Sequence, residues 1–262
     1  MKPLLAVESV SKTFRPNGKE PVVGLEDVTL HIPEGEITGL VGESGSGKST
    51  LIRCIFRLTK PDTGLIDYDR IDVTRAHGED LRRLRREVQL VFQDPAASLN
   101  PRMTVEQLVS EGMRVHKLFP STETRRDRVV ELLEAVGLDA ADLGRRPRSF
   151  SGGQRQRIAI ARAVAVGPRL LVCDEPVSSL DVSVQAQVLN LLLDMRDAGL
   201  TMLFVAHDLA VVHQVCSQVA VIQHGRIVER GPVGEIFERP QSDYTKALLD
   251  AVPVPRRVPG AR

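Results

Sequence analysis

Apolar positions fall into two regimes along this chain. Residues 4–10 and 21–32 carry alternating or β-branched apolar residues around a polar Asn17-Gly18 turn, which predicts strands of an antiparallel lobe. Mostly apolar runs follow at Ile37–Val41, Val88–Phe92, Leu170–Cys173 and Met202–Ala206. Leu170–Cys173 and Met202–Ala206 read as buried strands and Val88–Phe92 as a short apolar strand. Helix-compatible content follows the first run over Thr50–Arg57, and more strand follows a Pro61–Gly64 turn. A charged helix is expected over 79–86. From about 101 to 165 the pattern is helical, with helices predicted over Thr104–Met113, Thr124–Val136 and Gln154–Val166 and no strong strand signal between them. Val182–Arg196 predicts an amphipathic helix, and another is expected at about 209–216. Val219–Gln223 and Arg226–Glu229 predict a hairpin around His224-Gly225.

Strands that alternate with helices imply a mostly parallel sheet covered on both faces. The fold class expected is α/β: a phosphate-loop, RecA-like nucleotide-binding core with an antiparallel β lobe and an inserted helical subdomain. One domain is read over 1–250, with the helical subdomain at about 96–166. The Pro/Arg-rich tail, 251–262, is expected to be disordered.

Composition narrows the function classes. A length of 262 residues suits one large domain with an embedded subdomain. A net charge of +1 gives no overall pull toward nucleic acid or anionic lipid. The three cysteines, Cys54, Cys173 and Cys216, are isolated, so neither a zinc site nor a redox pair is suggested, and a reduced, cytosolic compartment is expected. The opening apolar run is too short for a signal peptide. No segment approaches the roughly 18 apolar residues that span a bilayer. A soluble protein is expected, held at a membrane only by another chain.

The chemistry is concentrated in Gly42, Glu43, Ser44, Gly45, Ser46, Gly47, Lys48 and Ser49, which match G-x-x-x-x-G-K-[ST] between a predicted strand and a predicted helix. Glycines let backbone N–H groups approach an anion, and the helix start adds a favourable dipole. Lys48 would reach the β- and γ-phosphates and Ser49 would face Mg²⁺. The run Leu170–Cys173 ends in Asp174 and Glu175. That is the form in which phosphate-loop ATPases hold Mg²⁺ with an aspartate, with the following glutamate facing the attacking water as general base. Ser151 and Gln154 have capping-box spacing, so a helix starts there with Gly152 and Gly153 exposing N–H groups.

The phosphate loop, Gln93, Ser151-Gly152-Gly153-Gln154, Asp174-Glu175, Asp181 and His207 stand in the order of ATP-binding-cassette (ABC) nucleotide-binding domains, which the chain resembles to about residue 250. The resemblance implies ATP and Mg²⁺ as cofactors. It implies that Ser151, Gly152, Gly153 and Gln154 contact ATP held by an opposing subunit. Gln93 is implied as a Mg²⁺ and water ligand, with Ser49 and Asp174 as the other metal ligands. Glu175, His207 and Gln93 are implied as catalytic, Asp181 at the dimer seam, and Thr50 beside the nucleotide. Phe14 stands where the family places an adenine-stacking ring; a core strand residue is the plain alternative.

The segments 41–50, Phe92–Arg102, Asp181–Gln187, Gly225–Gly231, Glu235–Pro240 and Tyr244–Leu249 are similar to the dipeptide/oligopeptide/nickel importer group. That implies an ATP-hydrolysing subunit that powers import, most simply of peptides. It also implies two integral membrane permease subunits, a second ABC ATPase chain forming a heterodimer and an extracytoplasmic substrate-binding protein reached indirectly. The place implied is the cytoplasmic face of the membrane, and no nucleic acid is expected. Nickel or another small solute, a soluble non-transport ABC ATPase and a non-hydrolysing regulator stay as alternatives. Many members of the group carry a cysteine-containing C-terminal extension, which this tail is not expected to supply, and Ser242-Asp243 stands where the group often has His-Pro. Thr59-Lys60-Pro61-Asp62 imitates a guanine-reading motif but falls too soon after Lys48. The arginines at 82, 83, 85 and 86 read as a solvated face or a contact with a membrane subunit.

Overall fold

The computed structural model describes residues 3–15 and 20–251. The Asn17-Gly18 turn and the tail from 252 onward lie outside the described residues. In chain order the elements open with β1 (Pro3–Phe14), β2 (Val22–Pro33), β3 (Ile37–Val41), α1 (Lys48–Ile55), β4 (Thr63–Tyr68) and β5 (Ile71–Asp72). They continue with α2 (Gly78–Glu87), β6 (Val88–Val91), α3 (Pro95–Ser98), α4 (Val105–Val115), α5 (Thr122–Ala135), two short 3₁₀ turns and α6 (Gly152–Val164). The last part holds β7 (Leu170–Asp174), α7 (Val182–Asp197), β8 (Thr201–Ala206), α8 (Leu209–Val215), β9 (Gln218–Gln223), β10 (Arg226–Pro232), α9 (Val233–Glu238) and α10 (Asp243–Asp250).

Two sheets result. One is antiparallel in the order β2-β1-β4-β5. The other runs β10-β9-β3-β8-β7-β6 and is parallel except for the β9–β10 hairpin at its edge. Both β3 and β8 are buried at every position, in keeping with sequences that are apolar apart from Thr38, Gly39 and Thr201. Side chains alternate along each strand. Met202, Phe204 and Ala206 of β8 join the cluster that holds the helices between β6 and β7 and helix α8. Leu203 and Val205 join the opposite cluster, with α1 and the antiparallel sheet. At ~1.5–3 kcal/mol for each fully buried large apolar side chain, these two layers dominate the stability of the core.

The predicted helices are present within a few residues of their expected bounds. Between β6 and β7 the described chain is helical throughout its regular elements. Three features were not expected: the one-turn α3, capped by Asp94, and the two helices α9 and α10 after β10. No helix among the described residues is long and apolar enough to cross a membrane.

Candidate phosphate-binding and catalytic site

Parallel order places the chemistry at one edge. The 42–47 loop follows β3, Gln93 follows β6, Glu175 follows β7 and His207 follows β8. Those strands are consecutive in the sheet, so all four loops emerge at its carboxyl edge, where open α/β sheets bind ligands.

Close packing shapes the loop. A Cβ on Gly42 would lie 2.2 Å from the Ile222 carbonyl oxygen, and one on Gly47, at φ +114°, would lie 2.7 Å from that of Gly24. Gly47 is also the N-cap of α1 and has no side chain to satisfy the first N–H groups, whereas α4, α5, α6, α7 and α8 are each capped by a side chain. Ser46 Oγ is buried without a partner. An uncapped helix start with an unpartnered hydroxyl beside it is suited to phosphate oxygens. Lys48 lies across the loop, and its Nζ donates to the carbonyl oxygens of Gly42 at 2.6 Å and Glu43 at 2.8 Å. Burial lowers its pKa, against the attraction of Glu175, Asp174 and Glu43. An anion placed there would restore the charge that burial disfavours.

The loop opens on a cleft lined by Phe14, Gly24, Lys48, Ser49, Thr50, Gln93, Asp174 and Glu175 among others. Phe14 is half-buried at its mouth, with its ring against Gly24, where a Cβ would come within 2.7 Å of Cε2. Deeper in, Glu175 Oε2 accepts hydrogen bonds from Gln93 Nε2 and His207 Nδ1, each at 3.0 Å. Glu175 has φ 47° and donates its own N–H to the Val205 carbonyl at 2.9 Å, which turns its side chain off the end of β7. Asp174 is held above the usual carboxylate range by burial and by the adjacent Glu175 charge.

For Mg²⁺, Ser49 offers an exposed hydroxyl, Asp174 a crowded carboxylate, and Gln93 an amide oxygen left free when Nε2 turns to Glu175. These are hard oxygen donors of the kind Mg²⁺ takes, few enough to need phosphate oxygens as well. Among the described residues no group of three His, Cys, Asp or Glu forms a cage by itself.

Ser151, Gly152, Gly153, Gln154 and Asp181 do not line this cleft. They form a second patch. The capping box at α6 is complete: Ser151 Oγ accepts from the Gln154 N–H at 3.3 Å, and Gln154 Oε1 accepts from the Ser151 N–H at 3.0 Å. Those two N–H groups are thereby occupied, which leaves Gly152 and Gly153 as the open donors of the turn. Asp181 caps α7, accepting from the Val184 N–H at 2.9 Å and the Ser183 hydroxyl at 2.7 Å, and these bonds hold its carboxyl below the usual range. Leu180 packs toward Gly152, so the two helix starts adjoin, and Val182 beside them is 84% exposed.

Two further residues touch the loop that the sequence reading did not assign to it. The Gly225 N–H donates to the Ser46 carbonyl at 2.8 Å, and Tyr244 Oη accepts from the Glu43 N–H at 3.0 Å. Nothing in the hairpin at Gly225 or the segment at Tyr244 points to the loop, because the contacts join segments far apart in the chain.

Comparison with known proteins supplies the family context. Residues 25–178 match the ABC transporter family. The chain is 46% identical over 255 residues to the oligopeptide transport ATP-binding protein OppF of Streptococcus mutans, covering 97% of this chain and 83% of that protein. OppF of Bacillus subtilis is 46% identical over 258 residues, covering 96% and 83%. Among solved structures, the ATP-binding cassette MJ0796 as a post-hydrolysis dimer bound to ADP and Pi superposes with a TM-score of 0.79 at 31% identity, covering 87% of this chain and 98% of that one. CbiO1 of Clostridium perfringens, part of the ABC transporter complex cbiONQ, gives 0.80 at 30% identity, covering 92% and 93%.

Proposed function

We propose a function from one premise: the chain belongs to the ABC transporter family and is an ABC-type ATPase. It is the ATP-hydrolysing subunit of an importer of di- or oligopeptides, and ATP-driven closure of a dimer drives its membrane partners. The observation that carries this reading is the convergence of Gln93 and His207 on one oxygen of Glu175, beside the Lys48 loop. The cargo is carried over from the oligopeptide relatives.

Each residue has a task in that reading. Lys48 exchanges the Gly42 and Glu43 carbonyls for the β- and γ-phosphates, and the N–H groups at the start of α1 take the remaining oxygens. Phe14 stacks on adenine. Ser49, Gln93 and Asp174 would hold Mg²⁺, which when bound supplies charge neutralisation at the phosphates. Glu175 receives the proton of the attacking water, with Oε2 fixed by Gln93 and His207 and Oε1 left toward the water. The patch at Ser151–Gln154 and Asp181 serves the nucleotide of the opposing subunit, because within one chain it stands outside the cleft. Closing the dimer completes the site, so subunit association gates the chemistry. The helical stretch at about 96–166 relays closure, through Gln93, to two permease subunits at the cytoplasmic face of the membrane. A second ATPase chain is the dimer partner, and an extracytoplasmic binding protein delivers cargo from the other side.

The test is purification of the tagged chain from detergent-solubilised membranes, followed by assays of ATP turnover and of labelled peptide uptake in reconstituted vesicles. Two integral membrane proteins, a second ATPase and peptide uptake dependent on Glu175 are expected. A complex that turns over ATP but moves nickel and no peptide would overturn the cargo. Absence of any integral membrane partner would overturn the transport role.

A further inference from the structure

The last described helix returns to the phosphate loop. Tyr244, in the first turn of α10, accepts the Glu43 N–H on its hydroxyl oxygen at 3.0 Å. The carbonyl of the same residue accepts Lys48 Nζ at 2.8 Å and the Ser46 N–H at 3.2 Å. Glu43 is therefore held on both sides, and one of its holders, Lys48, must leave when it turns to phosphate. Tyr244 stays.

Tyr244 is itself fixed. Its ring packs on the larger core cluster. The start of α10 is clamped to β10 by Glu229, whose Oε1 accepts the Gln241 N–H at 2.7 Å and whose Oε2 accepts the Ser242 N–H at 3.1 Å. Glu229, Gln241 and Tyr244 all lie beyond the residues 25–178 that match the family.

We propose that Tyr244 is a positioning residue for nucleotide binding: its hydroxyl, set in place by Glu229 through α10, holds the Glu43 peptide so that the loop keeps its phosphate-ready curve while Lys48 changes partners. The inference rests on the reading of 42–49 as the triphosphate cradle. A loop with three glycines has much freedom to lose, and a contact that orders it beforehand lowers the cost of ordering it at binding. The loop grips phosphate alike before and during the reaction. Losing its order therefore weakens affinity and raises KM with little change in kcat.

The test uses the full chain for titration with MgADP and the purified complex for ATP turnover. Tyr244→Phe keeps the packed ring and removes only the hydroxyl oxygen. It is expected to raise the MgADP Kd and the ATP KM about fivefold, the size of one ordinary hydrogen bond, with kcat within about twofold. Glu229→Gln is expected to move the same constants in the same direction by less. The double variant is expected to fall short of the product of the two effects, since both act through one contact. Wild-type Kd and KM in Tyr244→Phe, or a loss of kcat at unchanged KM, would overturn the inference alone. A wild-type chain that bound no MgADP would overturn the cradle reading and this inference with it.

Discussion

Gly153 of α6 faces Val184 of α7 so closely that a Cβ on the glycine would lie 2.1 Å from Val184 Cγ1. Gly153 is buried, and a β-branched valine in a helix has little rotamer freedom with which to move aside. Gly153→Ala must therefore displace one helix start from the other, at the patch assigned to the opposing nucleotide. It is expected to cut ATP turnover by the complex at least tenfold. Val184→Ala removes the methyl group in the way and is expected to return most of that loss when combined with Gly153→Ala. Steady-state phosphate release by the two single variants and the double variant checks this. A double variant as poor as Gly153→Ala would mean that the contact is not the cause.

Glu175→Gln preserves shape and one acceptor oxygen but removes the base. Phosphate release is expected to fall by about 10²-fold or more, the usual scale for a general base, while MgATP still binds. ATP that is bound and not consumed should hold the closed dimer, which light scattering after size-exclusion chromatography would detect. A variant that stays monomeric with MgATP and every partner present would contradict a site shared between two chains.

His207 meets Glu175 through Nδ1, and Gln93 meets the same oxygen. Removing the imidazole leaves Glu175 with one of its two side-chain donors. His207→Ala is expected to lower kcat about tenfold or more at nearly unchanged KM for ATP, the pattern for an interaction needed in the transition state. His207→Gln restores a donor and is expected to retain more kcat than His207→Ala. Equal activities would show that the contact with Glu175 does not matter.

How much of this was legible beforehand follows from which interactions are local. The strand–loop–helix around Lys48 and the Ser151–Gln154 capping box are short-range patterns, and both appear where the spacing put them. The strands β3, β7 and β8 were readable because burial on both faces favours largely apolar runs. The meeting of Gln93, Glu175 and His207 is different in kind. It depends on β6, β7 and β8 being consecutive in the sheet, which spacing alone does not state; only the family order implied it. Helices α9 and α10 are six and eight residues long, too short for a clear helical period. The Tyr244–Glu43 bond spans 201 residues and leaves no mark on either neighbourhood.

Asp69, at the turn between β4 and β5, ties the antiparallel sheet to the core. Its Oδ2 accepts Arg169 Nη1 at 2.6 Å and Arg83 Nη2 at 2.5 Å, and Arg169 also donates to Glu34 at 2.7 Å. The Arg169 hydrogen bond first, and that of Arg83 next, hold the Asp69 carboxyl below its ordinary 3.8. A carboxylate depressed in the folded state adds stability that is complete above the unfolded value and is lost as pH falls through the folded one. Asp69→Asn removes that contribution and leaves two guanidinium groups without their shared anion. The groups are partly exposed, so solvent screens the effect to roughly a surface network's worth, a fall in melting temperature of about 2–4 °C at pH 7. The gap from wild type is expected to hold through the neutral range and to narrow below pH 3.8, as wild-type Asp69 itself becomes neutral. Thermal unfolding measured as a function of pH decides the matter. A gap that stayed constant into the acid limb would assign the loss to packing rather than to the charge of Asp69.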